Sequence, residues 1–281
     1  MLKNTFCHVP GIRLKTEQRL WSSGFRCWKD VIQSDSFPFS LFKGKPIKGY
    51  VEESIAQLER NNPYYFSNLL PSNELWRLFS EFRNSIAYLD IETTGSAGWE
   101  NHITTIALYD GKRISGYVFG RNLEDFESDI EHYKLIITYS GKCFDVPFIE
   151  SYLKIRMNHV HIDLRYLLRS LGYSGGLKGC EKKLGLDRGD LNGIDGYFAV
   201  LLWDDFVRNN NERALETLLA YNILDVVNLE TLMVTAYNLK LKDTPFYDTH
   251  HVPFPEPPEI PFRADRGTLE KISHSSLPFR V

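Results

Sequence analysis

An apolar run that ends on two carboxylates constrains this chain more than any other feature. Ile86-Ala87-Tyr88-Leu89 reads as a buried strand, and Asp90-Ile91-Glu92 follows directly. Strand side chains alternate faces, so Asp90 and Glu92 point the same way. Two carboxylates side by side repel each other and cost free energy unless something cationic joins them. Two more acidic clusters lie downstream, Phe144-Asp145 and Tyr221-Asn222-Ile223-Leu224-Asp225. The last falls in a long helical pattern, where Tyr221 and Asp225, four residues apart, share a face. A metal site assembled from one strand and one helix accounts for all of them.

The surrounding pattern alternates strand and helix. Ser85 to Glu92, Thr104 to Tyr109 and Arg113 to Phe119 are strand signals, the last two joined at Asp110-Gly111, a good hairpin turn. Leu123 to Tyr133 is helical. Leu135 to Tyr139 is a buried strand, with a helix around Pro147 to Arg156. His161 to Leu164 is a short strand, and helices follow near 165–171, 177–184, 196–209 and 212–239. This order predicts an α/β fold, a mixed sheet with an early hairpin and flanking helices. Residues 85–240 form that domain, 1–40 a short basic unit and 41–84 a helical connector interrupted at Pro63 and Pro71. In the tail, 241–281, Pro253, Pro255, Pro257, Pro258 and Pro261 oppose regular structure.

Composition sets the outer bounds. The chain of 281 residues is 43% hydrophobic and 25% charged, ordinary for a globular protein. No apolar stretch approaches the length of a membrane span, and the first residues have no signal-peptide core, so no membrane partner is expected. Cys7, Cys27, Cys143 and Cys180 are widely spaced, which fits reduced thiols in a cytoplasmic protein and argues against zinc. The net charge of -3 hides an asymmetry. Lys3, Arg13, Lys15, Arg19, Arg26, Lys29, Lys43, Lys45 and Lys48 face only Glu17, Asp30 and Asp35 in the first 48 residues. That run fits a solvated basic surface or a phosphate-contacting arm.

Asp90, Glu92, Asp145 and Asp225 offer four carboxylates. Hard cations such as Mg2+ and Mn2+ prefer oxygen ligands. Two such ions about 4 Å apart can activate a water, hold a scissile phosphate and stabilise the leaving oxygen. A carboxylate bridging both needs a rigid mount, which a central strand supplies. The Tyr221 phenol, one turn before Asp225, can orient the attacking water; with its high reference pKa it is a poor sole base. Other roles fit the same residues. Asp145 beside a helix start fits a cap. Tyr221 also fits the core stripe of Leu215, Leu218, Leu219, Val226 and Leu229. Asp163 before Leu164-Arg165 reads as a helix cap. Thr93 and Phe144 fit contacts to a terminal nucleotide, by backbone and stacking, or simple packing.

With these motifs assembled, the sequence resembles the DEDD-superfamily 3′–5′ exonucleases, which have a ribonuclease H-like fold. Leu89-Asp90-Ile91-Glu92-Thr93-Thr94-Gly95 matches their first motif, and Tyr139 to Phe148, with Asp145, the second. Tyr221 to Asp225 matches the third in its tyrosine form, Tyr-x-x-x-Asp. Ser140 stands where an Asn is common. The subgroup it most resembles is the YprB-like ribonuclease H-like domains, similar to the proofreading domains of family B DNA polymerases; Leu177-Lys178 and the segment from Gly196 to Trp203 share that likeness. At the N-terminus, His8 to Leu20 resembles the hairpin and second helix of a helix-hairpin-helix, whose turn is normally Gly-hydrophobic-Gly; here Gly11-Ile12-Arg13 carries Arg13 in place of the second Gly. Such a turn holds a DNA phosphate on its backbone N–H groups. Gly11, Arg13 and Lys15 are the residues implied. Trp21, Phe25 and Trp28 fit a small core.

The resemblance implies a metal-dependent 3′–5′ exonuclease that uses two Mg2+ or Mn2+ ions and releases nucleoside 5′-monophosphates. Asp90 is expected to bridge both ions, Glu92 and Asp225 to bind the water-activating ion, and Asp145 to support the other. Nucleic acid is the expected partner, with single-stranded or frayed DNA favoured because of the hairpin. RNA as the polymer, and a non-catalytic nucleic-acid adaptor on the same scaffold, are the alternatives.

Overall fold

A computed structural model describes residues 1–34, 47–95 and 101–276. Lys43, Lys45 and Asp35 of the N-terminal charge run, and residues 41–46 of the expected connector, lie outside the described residues. The chain divides into two units. One comprises Met1–Ser85 with Val234–Phe254; the other comprises Ile86–Met233 with the chain from Pro255 onward.

In the first unit, helices α1 (Leu14–Ser22), α2 (Trp28–Gln33), α3 (Ile47–Glu59), α4 (Pro63–Leu69) and α5 (Phe79–Phe82) are joined by a 3-10 segment, Ser72–Leu78. Pro63 opens α4, where its missing N–H costs nothing. A buried ionic knot holds the unit together. Glu17 on α1 accepts hydrogen bonds from Thr5 Oγ1 at 2.6 Å and Phe6 N at 2.6 Å. Arg77 pairs with Glu17 at 2.8 Å and with Glu74 at 2.7 Å. Trp21 and Trp28 are buried, and their indole N–H groups donate to the carbonyls of Asn4 and Thr5; Phe25 is half-buried. A 3-10 turn, Leu2–Asn4, lies just before the hairpin. Gly11 has φ +87°, and Ile12 N closes the turn on Val9 O at 3.0 Å. Arg13 sits at the N-cap of α1 with extended backbone, φ -112°, so its Cβ is not strained there.

The second unit is built on a five-stranded sheet of β1 (Ile86–Thr93), β2 (Ile103–Tyr109), β3 (Ile114–Val118), β4 (Leu135–Thr138) and β5 (Val160–Asp163). Its order is β3-β2-β1-β4-β5. β1 pairs antiparallel with β2 and parallel with β4, so the strand that ends on the acidic pair is the centre of a mixed sheet. Helices α6 (Asp125–Ile130), α7 (Asp145–Leu153), α8 (Leu164–Ser170), α9 (Gly176–Lys183), α10 (Gly196–Asn209) and α11 (Glu212–Leu241) follow the expected alternation. Ala87, Leu89 and Ile91 point to one face and pack with Phe126 and Ile130 of α6 and Ile149 of α7. Tyr88, Asp90 and Glu92 point to the other, which α11 covers. Gly116 on β3 permits that approach: a Cβ there would meet Leu219 of α11 at 3.3 Å.

Two expectations are corrected. The proline-rich tail does not stay irregular: α12 (Tyr247–His250) precedes the prolines and α13 (Arg266–Ser276) follows them. Prolines end local regularity only where they stand, and Asp265 supplies the acceptor for Thr268 N at 2.8 Å, starting α13. Among the described residues there is also one helix, α11, whose length and composition would cross a membrane. It is 89% buried over that stretch, as the core helix of a folded protein is, and it carries Tyr221, Asn222 and Asp225.

Candidate metal centre

The pleat of β1 and one turn of α11 form the centre. Asp90 lies opposite Ala107 and Glu92 opposite Thr105 in the ladder with β2, and a register shift follows at Glu92/Thr93. The two carboxylates are half-buried and face α11. One ligand oxygen each from Asp90, Glu92 and Asp225 lie within 4.8 Å of one another. Asn222, one turn before Asp225, ties helix to strand: its Nδ2 donates to Asp90 Oδ2 at 2.7 Å, and its Oδ1 accepts from Thr105 Oγ1 at 3.0 Å. The side chain that fixes Asp90 is therefore itself fixed.

Asp225 is held from both sides. Arg188 pairs with Oδ1 at 2.6 Å and Lys178 with Oδ2 at 3.0 Å. Arg188 is in turn gripped by both oxygens of Glu181 at 2.9 and 3.0 Å, and Asn228 donates to Glu181 at 2.8 Å. The two cations differ in freedom, since the side chain of Arg188 is 4% exposed and that of Lys178 37%. Tyr221 is buried, and its hydroxyl accepts a hydrogen bond from Lys178 Nζ. A phenol has one donor and two acceptor positions, so the Tyr221 proton remains free to donate. The ring lies beneath Lys178 Nζ at 4.4 Å and the Arg188 guanidinium at 5.3 Å.

Burial, then the Asp225 charge, holds the Asp90 carboxyl well above the usual carboxylate range, and the same causes raise Glu92. Burial pushes Tyr221 up as well, with Asp225 the next cause. Repelling carboxylates in a low-dielectric setting are what a divalent cation relieves, and an all-oxygen donor set fits Mg2+ or Mn2+.

Asp145 stands outside this three-carboxylate group. It is the first residue of α7, buried, and it accepts the backbone N–H of Ile91 at 3.2 Å, between the two acidic residues of β1. Burial pushes its carboxyl up to about 7, opposed by its backbone hydrogen bonds. Asp163 caps α8 through Arg165 N at 3.0 Å and also accepts Ser140 N at 2.9 Å and Lys142 N at 3.1 Å. It thereby fixes the loop that leads from β4 to Asp145. Gly141 in that loop tolerates no side chain, because a Cβ would lie 2.3 Å from Thr138 Oγ1. Thr93 is buried and accepts Gly95 N at 3.3 Å, whereas Phe144 is exposed and packs on Phe148, ring centroids 5.8 Å apart. Gly11, Arg13 and Lys15 are exposed and belong to the other unit.

Arg188, Glu181 and Asn228 carry no signal of their own in the sequence. Nothing in a lone Arg after Gly185-Leu186-Asp187 marks it as the partner of a carboxylate 37 residues later. Lys178 is signalled only through the family likeness.

Residues 87–237 match the family model RNase_H_2, described as RNase_H superfamily, a stretch that contains every carboxylate of the centre. Among solved structures, the family B DNA polymerase of the hyperthermophilic archaeon Pyrobaculum calidifontis is similar at 16% identity and a TM-score of 0.42, over 56% of this chain. The chain spans 24% of that polymerase. The Nibbler EXO domain of Aedes aegypti is similar at 15% identity and a TM-score of 0.38, over 60% of this chain and 84% of that one. No match was found among curated proteins.

Proposed function

The chain belongs to the RNase H superfamily, and from that premise we propose that it is a divalent-metal-dependent 3′–5′ exonuclease of the DEDDy type, in the YprB-like subgroup. Its substrate is single-stranded or frayed DNA, and its products are nucleoside 5′-monophosphates. The observation that carries this reading is the convergence of Asp90, Glu92 and Asp225 within 4.8 Å on a central strand and a core helix.

Asp90, Glu92 and Asp225 hold the metal, with Asp145 supporting a second ion. Ions bound there supply a nucleophilic water at neutral pH and neutralise charge on the scissile phosphate. The protein's own groups set the rest. Asn222 locks the Asp90 carboxylate, and Arg188 locks one oxygen of Asp225. Lys178, the more exposed cation, is the one that can leave Asp225 Oδ2 and turn to a phosphate oxygen. The Tyr221 hydroxyl donates to the attacking water and orients it. Phe144, exposed beside the site, offers a face on which the terminal base stacks. The preference for DNA rests on the hairpin at Gly11, Arg13 and Lys15, a phosphate contact in the other unit.

End-labelled DNA and RNA strands of matched sequence, linear and circular, test this with Mn2+ or Mg2+. Stepwise shortening from the 3′ end, release of mononucleotides and survival of the circle are expected, with DNA degraded faster than RNA. Cutting of the circle would overturn the polarity, and faster RNA decay would overturn the polymer.

A further inference from the structure

A second charged feature lies in the same unit and takes no part in the centre just described. A cavity of about 450 Å³ opens between the loop after β4, helix α8 and the turn before α9. Arg165 and Arg169 line it from α8. Residues four apart on a helix share a face, so the two guanidinium groups work side by side. Both residues are exposed, and among the described residues no carboxylate lines the cavity. Ser140 adds a hydroxyl, with Arg165 Nη1 at 3.5 Å from its Oγ. The turn before α9 contributes Gly172, Gly175 and Gly176, all at positive φ (+89°, +112° and +75°), together with Tyr173 and Ser174, and at the three glycines a ligand's backbone can approach closely.

This cavity and the carboxylates share their supports. Asp163 fixes both the Ser140 loop and the first turn of α8. α9 starts at the glycine turn, and its Lys178 reaches Asp225. Two adjacent guanidinium groups, a hydroxyl and an open polar cavity suit the oxygens of a phosphodiester. Tyr139 and Tyr173, also in the lining, suit a sugar or base beside it.

We propose that the Arg165–Arg169 cavity is a phosphate-binding subsite for the nucleic-acid strand upstream of its reacting 3′ end. This rests on the exonuclease reading for the direction of the strand. The cavity would grip the backbone one or more nucleotides from the end and set how short a strand can still be held.

The test is strand binding by the full chain in EDTA, where no hydrolysis interferes. Wild type and Arg165→Gln/Arg169→Gln are titrated with DNA and RNA oligonucleotides of about ten nucleotides over a salt series. The variant is expected to bind about tenfold more weakly at low salt. Its slope of log affinity against log salt should be shallower by about 1.4, from two phosphates at about 0.7 each on a single strand. On the wild type alone, the strand should shield Arg165 and Arg169 from phenylglyoxal, and inorganic phosphate at equal concentration should not. Equal affinities and slopes, no strand binding by the wild type, or equal shielding by inorganic phosphate would each overturn the proposal. Hydrolysis of a p-nitrophenyl ester of thymidine 5′-monophosphate by the wild type with Mn2+ reads the carboxylates separately. Its failure would count against the exonuclease reading and leave the binding result to judge the cavity.

Discussion

Asp225 is the residue on which the centre turns, and its surroundings divide labour between two cations. Arg188 is buried with Glu181 and Asn228 and positions the carboxylate, while the more exposed Lys178 joins Asp225 to the Tyr221 hydroxyl. Truncating Arg188 to Met leaves Glu181 buried without its cation, at a cost of about 3–5 kcal/mol by urea denaturation. The double change Arg188→Met/Glu181→Met should recover most of that stability, while turnover stays about 10–100-fold down because Asp225 has lost its support. Recovery of activity together with stability would reduce Arg188 to a packing residue. At the next position inward, Asp225→Ala and Asp90→Ala should bring turnover to background. Tyr221→Phe should leave Mn2+ affinity intact and slow single turnover by about a hundredfold. A wild-type rate for Tyr221→Phe would assign the phenol to the core stripe alone.

At the scale of elements, much was readable because periodicity and charge agreed. The strand at Ile86 runs into its acidic pair, the Asp110-Gly111 hairpin joins β2 and β3, and the helices of the second unit fall within a few residues of their expected bounds. What escaped depends on contacts distant in sequence. The Glu181–Arg188–Asp225 chain joins α9, a loop and α11, and no local spacing encodes it. Asp163 was legible as a cap because a cap is local; its second role, holding the Ser140 and Lys142 amides across the β4 loop, was not. That second role has a measurable consequence. Asp163→Ala should cost about 1–3 kcal/mol and speed hydrogen exchange at Ser140, Lys142 and Arg165 together. Exchange rising at Arg165 alone would mean that the cap and the loop are independent. The tail helix α13 escaped because the proline cluster ends at Pro261, before it, and composition averaged over the whole tail blurs that boundary.

For the whole molecule, the clustered carboxylates make stability depend on metal and pH jointly. In metal-free protein Asp90 and Glu92 are raised and Asp145 lies at about 7, all chiefly by burial. A carboxyl raised in the folded state contributes stability below its unfolded pKa of about 4, and that contribution is lost as pH climbs through the folded value. A divalent ion binds the ionised form, so it restores most where most was lost. The melting-temperature gain from Mg2+ over EDTA should therefore grow from about pH 6 to about pH 8. A gain independent of pH would detach these carboxylates from the ion. His8 and His161 run the other way: burial lowers both to about 3, so their contribution is lost as pH falls below their unfolded value of about 6.5. Taking the difference between Mg2+ and EDTA at each pH cancels them.

The central claim is that Asp90, Glu92 and Asp225 form a divalent-cation site on which hydrolysis depends. Calorimetric titration of Mn2+ into wild type and Asp90→Asn, with strand cleavage followed on the same samples, measures it directly. Saturable binding by the wild type, loss of that binding in Asp90→Asn, and cleavage that rises with occupancy and vanishes in EDTA are expected. Equal Mn2+ binding by the two proteins, or cleavage undiminished in excess chelator, would contradict the account.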